Sequence, residues 1–78
     1  MTNLEKYTDA FTSTFDIKPE ETKGLEYQAI EAWDSVGHMG LVAAIEEAFG
    51  IMLEADDIVD LSSFEKGMEI LKKYNIEM

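Results

Sequence analysis

Apolar residues recur at helical spacing along most of the chain, and no segment alternates between apolar and polar residues as a surface strand does. Thr2 and Glu5 stand like a capping box before the first such stretch, which predicts a helix from Asn3 to Phe15. Pro19 cannot continue this helix, and turn formers and acids continue as far as Trp33. We therefore predict a long ordered loop, pinned across the helices by its apolar residues and with room for a short helical turn.

The second half of the chain predicts three further helices. Asp34 is a favoured N-cap residue, and the helical stretch Ser35 to Phe49 ends at Gly50, a residue favoured just past a helix. A short helix is predicted around Ala55 to Val59, and Ser62-x-x-Glu65 resembles a second capping box before a last helix. We therefore expect an all-α four-helix bundle with three main helices and one short helix, and a long loop between helices one and two.

Length and composition predict one soluble domain over residues 1–78. A core divided between two domains of half this length would be too small to hold either together. The chain has no cysteine, and its first residues lack the basic and apolar segments of a signal peptide, so we expect a cytoplasmic protein without disulfides. The longest apolar run, Leu41 to Ile45, is far shorter than the roughly 20 residues that cross a bilayer.

The chain is strongly acidic, with 17 Asp and Glu residues against six lysines and a net charge of −11. Between Gly24 and Glu65 it has ten acids and neither lysine nor arginine. Such a charge repels a phosphate backbone and an anionic membrane, so we expect neither nucleic acid nor membrane as a partner. Acidity can keep a small monomer soluble or steer basic partner proteins toward it, and composition alone does not decide between these roles.

The second predicted helix has apolar residues on two sides. One side is the obvious core face, made by Leu41, Val42, Ile45, Ala48 and Phe49. Val36, Met39 and Ala43 lie on a different side, so burial in the same core does not account for them. An exposed apolar stripe with a carboxylate rim is typical of a docking surface, although scattered apolar residues are ordinary on small proteins and the long loop could cover part of the stripe.

Ser35 lies in the first turn of this helix. Unpaired backbone N–H groups and the positive end of the helix dipole favour a phosphate group there. Serine is also common near helix starts because it caps them. Position alone therefore leaves both interpretations of Ser35 open.

The run from Trp33 to Ile51 resembles the acyl carrier protein family, with Asp34-Ser35-Val36 at its start and Glu47-Ala48-Phe49-Gly50 near its end. That family has Asp-Ser-Leu at its modification site and a following helix that commonly finishes in Glu-x-Phe-Gly. The likeness extends over nearly the whole chain, including Ser62-Ser63-Phe64 before the last helix. It implies that a phosphopantetheinyl transferase moves phosphopantetheine from coenzyme A to the Ser35 hydroxyl, with Asp34 in support. The thiol of that arm would then carry an acyl group as a thioester.

The resemblance also implies a docking surface for the enzymes that load and use the acyl group, because such enzymes present basic patches to the second and third helices. The matching acidic residues here are Asp34, Glu46, Glu47, Asp56, Asp57 and Asp60, and the matching apolar residues are Val36, Met39 and Ala43. Bundles of the family can also enclose a fatty chain, which an aliphatic core face would permit here.

The chain departs from the family pattern at two positions. Val36 stands where leucine is usual, and Gly40 stands where carriers of general fatty acid synthesis usually have glutamate. Trp33, Gly37 and His38 are more similar to carriers from specialised biosynthetic clusters, such as polyketide pathways. The identity of the cargo is not decided by these residues, and an aminoacyl or peptidyl carrier stays open.

Three other classes of function would use some of the same residues: an enzyme, a calcium-binding protein and an unmodified adaptor. Ser35 and His38 could meet on one helix as a catalytic pair, but the Gly-x-Ser-x-Gly elbow is absent, so we expect no enzyme and assign His38 to packing or to the surface. Asp56, Asp57 and Asp60 suggest calcium, yet they lack the alternating ligands and central glycine of an EF-hand. An adaptor that binds proteins without modification would share the helical pattern.

Overall fold

The computed structural model describes all 78 residues, of which 59% are helical and none form a strand. Four α-helices follow in order: α1 (Asn3–Phe15), α2 (Ser35–Phe49), α3 (Ala55–Asp60) and α4 (Phe64–Lys72). A 3-10 turn, Pro19–Glu21, lies in the loop between α1 and α2. The predicted all-α bundle of three main helices and one short helix is confirmed. None of these helices combines the length and the apolar character needed to cross a membrane.

Local signals set the ends of α1 and α2. The Thr2 hydroxyl accepts from the Glu5 N–H at 3.1 Å, and the Glu5 carboxylate accepts from the Thr2 N–H at 2.8 Å, so the predicted capping box is formed. Gly50 ends α2 with a φ of 63°, in the left-handed region that glycine adopts without steric cost. These two helices therefore have the bounds that the sequence predicts.

The start of α4 differs from the prediction. No capping box forms between Ser62 and Glu65, because Ser63 is the N-cap residue and its hydroxyl accepts from the Lys66 N–H at 2.9 Å. The Ser62 carbonyl instead accepts from the Tyr27 N–H of the long loop at 2.8 Å. Pairing with the loop thus shifts the cap by one residue.

The long loop is ordered and tied to α4, as its apolar residues predict. The Leu25 carbonyl accepts from the Phe64 N–H at 2.9 Å, and the Gly24 N–H donates to the Glu65 carboxylate at 3.0 Å. Leu25 and Trp33 are both buried in the common core. The loop therefore acts as part of the bundle and sets the position of the chain where it enters α2.

The core is a single cluster with an aromatic centre. Its fully buried members of largest volume are Trp33, Tyr7, Phe11, Leu41, Ile45 and Leu71. The Tyr7 hydroxyl donates to the Phe64 carbonyl at 2.7 Å, and burial raises the pKa of this phenol. α2 contributes Leu41, Val42 and Ile45 to the core, so one face of this helix is buried and the opposite face is free.

Candidate functional site

Ser35 is the first residue of α2 and is exposed to solvent. Asp34 caps this end of the helix, because its side-chain oxygen accepts from the Gly37 N–H at 2.8 Å. The Asp34 carbonyl accepts from the His38 N–H at 2.7 Å and so begins the helical hydrogen bonds. Ser35 therefore does not cap α2, because Asp34 does.

A close backbone approach fixes the first turn of α2 against the loop. A Cβ atom added to Gly37 would stand 1.9 Å from the Ala32 carbonyl oxygen and 3.3 Å from the Phe15 ring. Only glycine allows the loop to pass this close to the helix. Ala32 and Gly37 lie on either side of Ser35 in the sequence, so this contact holds the backbone that presents the serine.

A hydrogen-bonded bridge joins the same turn to α3. The Trp33 indole N–H donates to His38 Nδ1 at 2.9 Å, and His38 Nε2 lies 2.7 Å from the Ile58 carbonyl oxygen. Indole is only a donor and a carbonyl only an acceptor, so Nδ1 accepts and Nε2 donates in this bridge. Both ring nitrogens are engaged, which leaves neither free to take a proton from Ser35.

His38 therefore has a role that the sequence analysis missed. It is a half-buried bridge between the loop, α2 and α3, where packing or surface exposure was expected. Its second partner, Ile58, lies 20 residues further along the chain. The lone tryptophan just before the helix was the only available signal, since a buried indole N–H needs an acceptor.

The apolar residues assigned to docking lie outside the core. Val36 is 80% exposed and Met39 55%, and Ala43 is also exposed. The long loop does not cover them. Val59 at 80% and Met52 at 83% are further exposed apolar side chains, on α3 and just before it, which the sequence analysis did not select. The start of α2 and the region of α3 thus both present apolar groups to solvent.

The acidic residues assigned to docking divide into three kinds. Four of them are exposed: Asp34, Glu47, Asp56 and Asp60. Glu46 is half-buried, and its Oε2 accepts from the Leu53 N–H at 2.8 Å, which ties α2 to the segment before α3. Asp57 is buried and has a structural role.

The structure does not support Asp57 as one of the predicted docking residues. Its carboxylate forms an ion pair with Lys73 and accepts from the Tyr74 hydroxyl at 2.5 Å, and it is only 6% exposed. The Tyr74 hydroxyl in turn accepts from the Glu54 N–H at 3.0 Å. These contacts fasten α3 to the chain after α4, so the carboxylate of Asp57 is not available to a partner.

The same contacts shift three pKa values. Hydrogen bonds from Lys73 and then from Tyr74 lower the pKa of Asp57, because both favour its charged form. The hydrogen bond to Asp57 raises the pKa of Lys73 and is also the main cause of the raised pKa of Tyr74. At neutral pH the cluster therefore holds a carboxylate, an ammonium and a neutral phenol.

The remaining acids do not converge on a metal site. The structure brings no three His, Asp or Glu side chains together in a way that could hold an ion.

Close to His38 there is an open cleft of about 270 Å³, lined by Tyr27, His38, Ile58, Val59, Leu61 and Ser62. The site is thus an exposed serine on a fixed helix start, with apolar and acidic surface around it.

No protein-family model matches the chain, and no match is found among the curated proteins or among the solved structures. The functional interpretation therefore depends on the residues of this chain.

Proposed function

We propose that the chain is an acyl carrier protein in which Ser35 holds a phosphopantetheine arm. The observation that carries the proposal is the division of roles at the start of α2, where Asp34 caps the helix and Ser35 stays exposed. The resemblance of Asp34-Ser35-Val36 and Glu47-Ala48-Phe49-Gly50 to that family supports the same residue. The all-α bundle is compatible with the family fold.

The residues around Ser35 fit a phosphodiester. The group would be attached covalently at the positive end of the α2 dipole, where negative charge is favoured. The Asp34 carboxylate adds negative charge nearby, but its oxygen is already engaged by the Gly37 N–H. Because the attachment is a covalent bond, the site needs exposure and a fixed backbone and does not need affinity for the group.

Attachment would be carried out by a phosphopantetheinyl transferase. The Ser35 oxygen would bond to the phosphorus of coenzyme A that carries pantetheine, the bond to the adenosine bisphosphate leaving group would break, and the hydroxyl proton would pass to the transferase. Once attached, the arm supplies a thiol that carries an acyl group as a thioester. The chain itself positions the arm. Asp34 and Gly37 hold the start of α2 in place, and His38 fixes it against α3.

The surface around Ser35 supports enzyme partners with basic docking patches. The exposed acids Glu47, Asp56 and Asp60 offer negative charge, which would steer basic surfaces at low salt. Val36 and Met39 offer exposed apolar contact close to the serine. A general fatty acid pathway and a specialised pathway would both use such a surface.

The test is the intact mass of the folded protein after incubation with coenzyme A and a promiscuous phosphopantetheinyl transferase. We expect a gain of one phosphopantetheine on the parent chain and on Ser62→Ala, a control at another exposed serine, and no gain on Ser35→Ala. If several transferases leave the parent chain unmodified, the carrier proposal fails and an unmodified protein-binding adaptor becomes the better account.

A further inference from the structure

We infer that this carrier keeps its cargo outside the bundle, and that the cargo is a short or polar acyl group and not a long fatty chain. The inference rests on the proposed attachment at Ser35. It departs from the enclosed fatty chain that the family resemblance allows. The contacts directly behind Ser35 carry it.

Large aromatic rings fill the core behind the serine. Trp33 is completely buried, stacks on Phe15 with ring centroids 5.4 Å apart, and lies in a T-shaped contact with Phe11 at a centroid distance of 5.4 Å. Phe11 and Phe15 are themselves at most 5% exposed. Protein interiors are close-packed, so an alkyl chain entering here would have to displace one of these rings.

The gaps beside the serine are closed by fixed contacts. On the loop side, the Gly37 backbone lies directly against the Ala32 carbonyl and the Phe15 ring. On the α3 side, His38 is hydrogen bonded to both Trp33 and Ile58. Opening the loop side would separate packed backbone, and opening the α3 side would break the hydrogen bond from His38 to the Ile58 carbonyl.

The space left for cargo lies on the surface. The cleft beside His38 has a volume of about 270 Å³ and is open to solvent, with Val59 on its wall 80% exposed. A long alkyl chain resting there would keep much of its surface in water, which is unfavourable. A short acyl group, or one with polar substituents, avoids that cost.

A chemical tail at position 35 tests the inference without any transferase. The chain has no cysteine and one tryptophan, so Ser35→Cys gives a single thiol and Trp33 gives a single buried fluorophore. We expect two maleimide adducts with a linker as long as pantetheine, one ending in an acetyl amide and one in an octanoyl amide, to share one melting temperature and one Trp33 emission maximum. An octanoyl tail that entered the core would bury about six more methylenes than an acetyl tail and raise the melting temperature by on the order of 10 °C or more. Such a rise, or a tail-dependent shift of the Trp33 emission, would overturn the inference.

A matched variant shows what entry of the tail looks like. Phe15→Ala in the Ser35→Cys chain removes a ring that stacks on Trp33 and leaves an apolar cavity, and such cavities bind apolar ligands. We expect the octanoyl tail to stabilise this variant more than the acetyl tail does. The comparison of the two adducts in the Ser35→Cys chain that keeps Phe15 is enough to decide the inference. Because the coupling is chemical, the result is independent of whether a transferase modifies Ser35, so failure of the inference and failure of the proposed function are distinguishable.

Discussion

At the scale of single residues, the bridge through His38 depends on an acceptor at Nδ1. Removing the side chain in His38→Ala leaves the buried Trp33 indole N–H without a partner. An unsatisfied buried donor costs about 1–3 kcal/mol, so we expect a loss of that size in the free energy of unfolding. Chemical denaturation measures it, and hydrogen exchange at the indole N–H should become faster.

The matched control is His38→Asn, whose amide oxygen stands near the place of Nδ1 and can accept from the indole. We expect it to recover part of the stability and to slow indole exchange again. Equal exchange in the Ala and Asn variants would show that packing, and not the hydrogen bond, explains the role of His38.

The Asp57 cluster predicts a pH dependence. Its pKa is lowered in the folded state, so its contribution is present above the ordinary value of 3.8 and is lost as the pH falls through the lowered folded value. We expect Asp57→Asn to melt at a lower temperature than the parent at pH 7, with the difference shrinking steadily as the pH falls below 3.8. Thermal melts of both chains across this range measure it.

The neighbouring acid gives the control for that prediction. Asp56 is exposed where Asp57 is buried, so Asp56→Asn should change the melting temperature little at any pH. A difference between parent and Asp57→Asn that stays constant from neutral to acid pH would mean that the ion pair with Lys73 does not stabilise the fold.

Residue roles were predictable from the sequence where the partners are close in the chain. Asp34 caps α2 through Gly37, three residues away, and local rules cover that spacing. Asp57 meets Lys73 and Tyr74, 16 and 17 residues away, and its burial depends on how α3 packs. From the sequence, Asp57 was predicted to be an exposed docking residue like Asp56 and Asp60. Only the packing of α3 in the fold shows that it is buried.

At the scale of elements, two glycines of α2 should respond oppositely to the same substitution. Gly37→Ala places a Cβ atom 1.9 Å from the Ala32 carbonyl oxygen, and overpacking of this kind costs about 1–3 kcal/mol. Gly40→Ala meets only the Thr14 methyl group at 3.6 Å, and in an exposed helix interior the change stabilises by up to about 1 kcal/mol.

Chemical denaturation of the two variants measures this contrast in the free energy of unfolding. Because both positions lie in α2, the gain in helix propensity is similar for the two variants. The difference between their free energies of unfolding therefore measures the close approach of the loop to Gly37. If Gly37→Ala were as stable as Gly40→Ala, the loop would not be held against the start of α2.

The helices themselves were predictable because their signals are local. Capping residues, apolar spacing and Gly50 gave the bounds of α1 and α2. The start of α4 was misplaced because Ser62 and Ser63 are equally good caps by sequence. Pairing of the Ser62 carbonyl with the Tyr27 N–H decides between them, and Tyr27 lies in the long loop, far from Ser62 in the sequence.

At the scale of the whole molecule, the net charge of −11 should limit stability at neutral pH. The structure contains one ion pair, between Lys73 and Asp57, so most of the acids lack a paired cation. We expect added sodium or magnesium chloride to raise the melting temperature, with magnesium more effective at equal concentration because of its charge. Melting that is unchanged by either salt would show that self-repulsion does not limit this fold.

The proposal that Ser35 carries a phosphopantetheine arm can be tested on the native protein. The most direct test is to purify the protein from the cells that naturally make it and to measure the mass and fragmentation of the peptide containing Ser35. We expect this serine, and no other residue, to bear one phosphopantetheine, free or acylated with a short or polar group. A peptide that contains only unmodified Ser35 would contradict the carrier proposal.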